Sequence, residues 1–324
     1  MQRYNYKNRL IYMKVLAIDN IQLNGYNVAK AIKAKYPETI DLVVNNKLYG
    51  YLLLFGIRVS NCDTGMPDDF LGGIVYKKGL TGNDYWDIIV TNASVDPSPK
   101  YVQPNVYFDD EARNAGGTAW VKEGQYIYYL AKPCRKGNGN TNYADCYFSY
   151  PAFGPLEAVQ IYRWNPKRYV CKNGQLEDIL YNTKCKDKGG LDYVFNAKGE
   201  KIPKYESFDP SQAKLDTTDS TFIHRSWYKD KFWNDSAGCQ VFQNVDLLWD
   251  LRDWALEHIK LYGIKNKITT FTYTLFSRQD FVDGYNYVPP FDWGNIKEVK
   301  SSVGLDWYHP KRIPTTLKKI VKKQ

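Results

Sequence analysis

A chain of 324 residues with 44% hydrophobic and 24% charged residues is long enough for one elaborated domain or two smaller ones, and this composition excludes a disordered polymer. The aromatic content (28 Tyr, 14 Phe and 9 Trp) favours strands and flat polar-ligand surfaces over a helical bundle. A formal charge of +9 suggests an anionic partner such as nucleic acid, phospholipid or wall polymer. The basic residues are dense only in KRIPTTLKKIVKKQ (Lys311–Gln324), and no RNP-like or helix-turn-helix pattern accompanies them. Nucleic acid is therefore not expected as a partner, and the tail reads as a solvated or partner-docking end.

In chain order, MQRYNYKNRL lacks the apolar segment of a signal peptide, so synthesis in a cytoplasm is expected. Asn24 to Ile40 has helical spacing at Val28, Ala29 and Ile32 and ends near Pro37. The following IDLVVNNKLYGYLLLFGIRVS reads as two strands around an Asn-Asn-Lys turn; its apolar part, Leu48 to Val59, is too short for a membrane span and is expected to be a buried strand. Residues 1–60 are thus expected to form a helix/strand extension to the main fold.

From Asn61 to Pro166, short aromatic and β-branched runs (DFLGGIVYKKG, DYWDIIVTNA, TAWVKEGQYIYYLA and EAVQIYRW) alternate with Gly, Asn and Pro, the pattern of an antiparallel sheet closed into a sandwich or barrel. Residues 167–220 are polar and read as an insertion. NVDLLWDLRDWALEHIKLYG predicts a helix capped by Asn244 or Asp246 and stopped by Gly263, and KITTFTYTLF predicts a strand. Residues 277–324 are rich in Pro and aromatic residues and read as a C-terminal extension with a basic tail. The expected class is α+β, rich in strands, with a main domain over residues 61–276.

Six cysteines stand at Cys62, Cys134, Cys146, Cys171, Cys185 and Cys239. Cys134/Cys146 and Cys171/Cys185 have spacings that could close small rings, but without an export signal free thiols are the default. None of the spacings is a zinc pattern and the chain has only three histidines, so neither metal nor other cofactor is expected.

Chemistry concentrates in FIHRSWYKDKFWNDSAGCQVF, Phe222 to Phe242. A cysteine becomes a useful nucleophile when a base takes its proton and its thiolate is stabilised. Here His224 lies on a predicted strand, and Cys239 follows after fourteen intervening residues, immediately behind Ser236-Ala237-Gly238. Gly238 permits a tight turn, and the backbone N–H groups of Gly238 and Cys239 are candidates for an oxyanion hole. A cysteine taken alone is more often a buried structural residue; it is the joint pattern that points to catalysis.

This segment resembles the signature of L,D-transpeptidases of the YkuD type, a His followed after a dozen or more residues by Ser/Thr-x-Gly-Cys. It is more similar still to a YkuD-like group of phage and prophage cell-wall hydrolases, endolysin-like proteins of Bacteroidetes viruses. The resemblance rests on Ile223-His224-Arg225, Trp233, Ser236 to Phe242 and Phe271-Thr272-Tyr273-Thr274-Leu275. Supporting stretches are DDF at Asp68 to Phe70, VDP at Val95 to Pro97, GTAWVKEGQY at Gly117 to Tyr126 and VQIYRW at Val159 to Trp164.

The resemblance implies a YkuD-like antiparallel barrel or sandwich with one main helix after the cysteine. It implies Cys239 as nucleophile, His224 as general base and then acid, and Ser236 shaping the turn or orienting the imidazole. Arg225, Gln240 and Trp233 are implied to bind substrate, the peptide stem of peptidoglycan. The thioester would be resolved by water or by an amine, leaving a hydrolase and a transpeptidase both open. Two departures from the pattern are visible: Val241 stands where ordinary members carry an Arg, and no His lies between Tyr147 and Arg163, with Trp164 where an Asp would follow Tyr-Arg. Action at the cell wall, or carriage on a virion with partner proteins held by the terminal extensions, follows from the same resemblance. The competing reading is a non-catalytic virion or wall-binding component built on a YkuD-like domain. A papain-type protease fits less well, since there the nucleophile precedes the His.

Overall fold

The computed structural model describes residues 2–6, 9–13, 16–59, 68–79, 83–97, 118–131, 150–164, 169–172, 175–178, 190–191, 193–195, 201–203, 211, 213–226, 238–263 and 266–287. Its centre is a closed eight-stranded barrel. The staves and their neighbours, in chain order, are β1 (Leu52–Arg58), β2 (Asp69–Lys77), β3 (Tyr85–Ser94), β4 (Thr118–Val121), β5 (Gly124–Ala131), β6 (Ala152–Pro155), β7 (Val159–Trp164), β8 (Lys214–Thr218), β9 (Ile223–Arg225), β10 (Gln240–Phe242) and β11 (Thr270–Ser277). Around the barrel the order is β6-β9-β10-β3-β2-β1-β11-β5, and β8-β7-β4 form a separate three-stranded sheet. Among the described residues, four α-helices accompany them: α1 (Gly25–Lys35), α2 (Pro37–Asn45), α3 (Val245–His258) and α4 (Arg278–Asn286). The molecule is α+β and rich in strands, as expected. Among the described residues, no helix is long and apolar enough to cross a membrane.

The uninterrupted apolar run of β1 has a direct cause. Leu52 and Leu54 point into the barrel, while Leu53, Phe55 and Ile57 join an outer core beneath the helices, with Val28 and Ile32 of α1, Ile40 and Val43 of α2 and Phe281 of α4. A strand covered on both faces has no polar side and so shows no alternation. The interior holds Leu71, Phe153, Phe271, Tyr128 and Tyr273, and α3 adds Leu248, Leu251 and Ala255. Asn24 caps α1 by accepting from the Asn27 N–H at 2.8 Å, and Ser277 opens α4 with a capping box completed by Asp280.

Several sequence expectations need correction. The stretch from Ile40 is not two strands: residues 37–45 form α2, with Pro37 in its first turn, Ile40 and Val43 facing the core, and the Asn46-Lys47 turn ending it at a Lys47 φ of 51°. The four apolar residues Ile40, Leu42, Val43 and Val44 are too few to separate a buried helix from a strand. The barrel is not wholly antiparallel, because β9 runs parallel to β10 and β11 parallel to β1. Alternation fixes which face a side chain takes but not which strand lies beside it. β1, expected in the extension at residues 1–60, is a stave of the barrel, and α4, expected in the C-terminal extension, packs on α1. TAWVKEGQYIYYLA divides between β4 of the side sheet and β5 of the barrel, and EAVQIYRW supplies β7 of the side sheet. The end of the expected insertion is β8, paired along β7. The tail at Lys311–Gln324 lies outside the described residues.

At one end of the barrel sits a buried ionic network. Arg58, 3% exposed, donates from Nε to Asp96 Oδ1 at 2.8 Å and from Nη2 to the Val121 carbonyl at 3.0 Å, and pairs through Nη1 with Glu123. Asp69 accepts from the Val59 and Val95 N–H groups at 2.8 and 2.9 Å. Burial, reinforced by the nearby carboxylates Asp68 and Asp96, raises the Asp69 carboxyl well above the usual range, against the two N–H bonds. The DDF and VDP stretches and the Lys122-Glu123-Gly124 turn, distant in sequence, thus meet around one guanidinium.

Candidate functional site

His224 lies on β9, and Cys239 immediately precedes its parallel neighbour β10. The register Ile223↔Gln240, His224↔Val241 and Arg225↔Phe242 defines the pair. The ladder continues at both ends, through Gln240 N–H to the Phe222 carbonyl at 2.7 Å and Ser226 N–H to the Phe242 carbonyl at 2.8 Å. Ile223 and Phe242 face the barrel interior. Pleating therefore turns His224 and Val241 outward. Cys239, two residues before Val241, shares that outer face and packs with Phe222, Tyr129, Ala131 and Ala152. Strand spacing and rise put the Cα atoms of His224 and Cys239 about 8 Å apart on the diagonal of that face.

The imidazole of His224 is oriented by its own backbone. It is 3% exposed, and its Nδ1 lies 2.8 Å from the Arg225 carbonyl. A carbonyl can only accept, so in this bond Nδ1 carries the proton and Nε2 is left as the basic nitrogen. Burial lowers its pKa to about 4, opposed by the carbonyl bond and assisted by the charge of Arg225. The ring is neutral at neutral pH, the state a general base requires.

The Cys239 sulfur is set in backbone. Sγ accepts from the Phe222 N–H at 3.4 Å and donates to the Ser220 carbonyl at 3.5 Å. It is a free thiol, partly buried. Gly238 has φ 145°, and a Cβ there would stand 2.7 Å from the Ala119 carbonyl oxygen and 2.9 Å from Ala119 Cβ. Both the backbone angle and the closeness of β4 call for glycine. Gly238→Ala should destabilise the fold by about 2 kcal/mol or more, read as a lowered denaturant midpoint. An unchanged midpoint would show that the turn relaxes freely.

Gln240 is completely buried, and its Oε1 accepts from the Tyr273 hydroxyl across the barrel interior. Tyr273 in turn requires Gly56, where a Cβ would lie 2.3 Å from the phenol oxygen. Arg225 is half-buried, with its guanidinium 3.4 Å from the centre of the Tyr150 ring. Trp233 and Ser236 lie outside the described residues, as do Cys62, Cys134, Cys146 and Cys185; only the backbone of Cys171 is described. Among the described residues, no three His, Cys, Asp or Glu side chains are grouped to hold a metal ion.

The sequence reading missed Tyr128, Tyr273, Tyr150 and Ala119 as neighbours of the site, and it missed the ionic network. Antiparallel pairing of Val241 with Ser94 puts the end of β3 that leads to Asp96 beside Cys239. The available signal was Arg58 itself, a charge at the end of the apolar run LLLFGI; in a buried strand such a charge demands partners. Helix α3 follows β10 closely, and Asn244 caps it by accepting from the Asp246 and Leu247 N–H groups at 3.0 and 3.3 Å.

Compared with family models, with curated proteins and with solved structures, the chain gives no match.

Proposed function

We propose that this chain is a cysteine-dependent acyl-transfer enzyme of the YkuD-like type, phage-encoded and acting on the peptide stems of peptidoglycan during lysis or entry. The observation that carries this reading is the parallel pairing of β9 with β10, with His224 and Cys239 on one outer face and the imidazole proton held on Nδ1. The Cys239 thiol gives its proton to His224 Nε2, and the sulfur attacks the stem carbonyl. The tetrahedral oxyanion is met by the N–H groups of Gly238 and Cys239. The imidazolium returns its proton to the leaving amine, and the C–N bond breaks to give a thioester. Water then yields hydrolysis, and a second amine yields transpeptidation. Gln240, held inside the barrel by Tyr273, sets the position of β10. Arg225, fixed against Tyr150, is the cation nearest the pair in sequence and offers a contact for a stem carboxylate.

The test is digestion of purified peptidoglycan with wild type and Cys239→Ala, the muropeptides being resolved by mass. Stem fragments or free D-Ala released by wild type, and reduced at least a thousandfold in the variant, are expected. Identical inert behaviour of both proteins would instead favour the non-catalytic wall-binding or virion component.

A further inference from the structure

The peptide bond between Thr221 and Phe222 is engaged on both sides. Its N–H donates to Cys239 Sγ at 3.4 Å, and its carbonyl accepts from the Tyr128 hydroxyl at 3.2 Å. We propose that Tyr128 is a positioning residue for the nucleophile, strengthening through this one peptide group the hydrogen bond that stabilises the Cys239 thiolate. The proposal rests on the reading of Cys239 as nucleophile.

The reasoning is that of a polarised amide. In the trans peptide the carbonyl oxygen and the amide hydrogen point in opposite directions, so the phenol and the sulfur meet opposite edges of one rigid plane. A donor on the oxygen favours the resonance form with negative oxygen and positive nitrogen, and this makes the N–H a better donor. A stronger N–H donor stabilises the thiolate relative to the thiol and lowers the pH at which sulfur loses its proton. In the thiol form the S–H has the Ser220 carbonyl as acceptor, so ionisation trades that contact for a fuller bond from Phe222.

Tyr128 is suited to the task. It is fully buried inside the barrel, with its ring 4.9 Å from that of Tyr273 at 58°, so the hydroxyl has little freedom. Burial holds the phenol well above its ordinary range, its bond to Thr221 opposing this and the nearby Cys239 adding to it. The hydroxyl therefore remains a donor while the thiol titrates. The ring fills the interior whether or not it bears oxygen, which separates the electrostatic role from packing.

The experiment follows the rate of Cys239 alkylation by iodoacetamide against pH, by peptide mass analysis of the full-length protein. Tyr128→Phe should raise the midpoint by about half a unit, the size of a modest cooperative change in one charge-assisted bond, and slow alkylation near neutral pH about threefold. Tyr76→Phe, which removes a phenol bonded to Asp84 at 2.7 Å, should leave the midpoint where it is. A Tyr128→Phe midpoint equal to that of wild type overturns the proposal. If Tyr128→Phe does not fold, the Phe222 amide proton in wild type decides: it should move downfield with the midpoint of Cys239 ionisation, and an amide signal indifferent to that ionisation overturns the proposal equally. Peptidoglycan digestion is scored separately, so inert wild type removes the functional reading without deciding the role of Tyr128.

Discussion

Arg58→Met is expected to cost about 3–5 kcal/mol of stability, the range for removing one partner of a buried ion pair, and to lower the melting temperature on the order of 10 °C. Asp96 is 2% exposed and Glu123 is 20% exposed, and each has Arg58 as its ion-pair partner. Methionine fills much of the same volume, so the loss measures charge more than cavity. The Val121 carbonyl also loses its donor from Nη2. An uncompensated buried carboxylate can escape its charge by taking up a proton. The difference between variant and wild type should therefore shrink from pH 8 to pH 5. Combining Arg58→Met with Asp96→Asn and Glu123→Gln should recover part of the loss. A single variant within about 1 kcal/mol of wild type would mean that the network is worth no more than an exposed surface pair.

The network also shows what could and could not be read from the sequence. Local signals were legible: the Asn244 cap, the helix to Gly263, the buried run of β1 and the tight backbone at Gly238 each depend on residues within a few positions of one another. The pairing of β9 with β10 was not, since the spacing between His224 and Cys239 fits many arrangements and only the register makes them neighbours on one face. Tyr128 was hidden for a similar reason. In GQYIYYLA, Tyr126, Tyr128 and Tyr129 are chemically alike, and only the strand face separates the interior Tyr128 from the outward Tyr129. Residues 37–45 were misread because four apolar residues fit either period, and tertiary burial of Ile40 and Val43 decided for helix. The stretches DDF, VDP and GTAWVKEGQY were visible in the sequence, but that they converge on Arg58 depends on contacts spanning up to 65 residues of sequence, the Arg58–Glu123 pair.

The second large effect is on acid stability and centres on His258. This residue is fully buried at the end of α3, where the π-helical turn Ile259–Gly263 begins. Its ring is enclosed by Tyr51, Phe271 and Tyr262, with centroids 4.5, 5.0 and 5.3 Å away. Nδ1 accepts from the Leu52 N–H at 3.0 Å, so the proton of the neutral ring is on Nε2, which has no hydrogen-bond partner among the described residues. Adding a second proton would set two donors against each other at Nδ1 and bury a charge among aromatic rings. Burial accordingly lowers the pKa from 6.5 to about 4. The unfolded chain then binds the proton first, so the native state is fully favoured above pH 6.5, loses stability as the pH falls towards 4, and loses no more below that. At 1.36 kcal/mol per unit, the contribution of His258 is on the order of 3 kcal/mol. His224, lowered to about 4 mainly by burial, acts in the same sense. Asp69, raised by burial, acts in the opposite sense, because the native state takes up its proton before the unfolded chain does. The clean measurement is therefore a difference between two proteins that share Asp69 and His224. His258→Asn keeps an acceptor near the Leu52 N–H and cannot titrate. Urea unfolding of wild type and His258→Asn at intervals from pH 7.5 to pH 4 should show the variant gaining on wild type by about 3 kcal/mol across the window, with most of the change below pH 6.5. Parallel stability curves would mean that the native imidazole titrates as it does in the unfolded chain, the end of α3 opening to water at no cost.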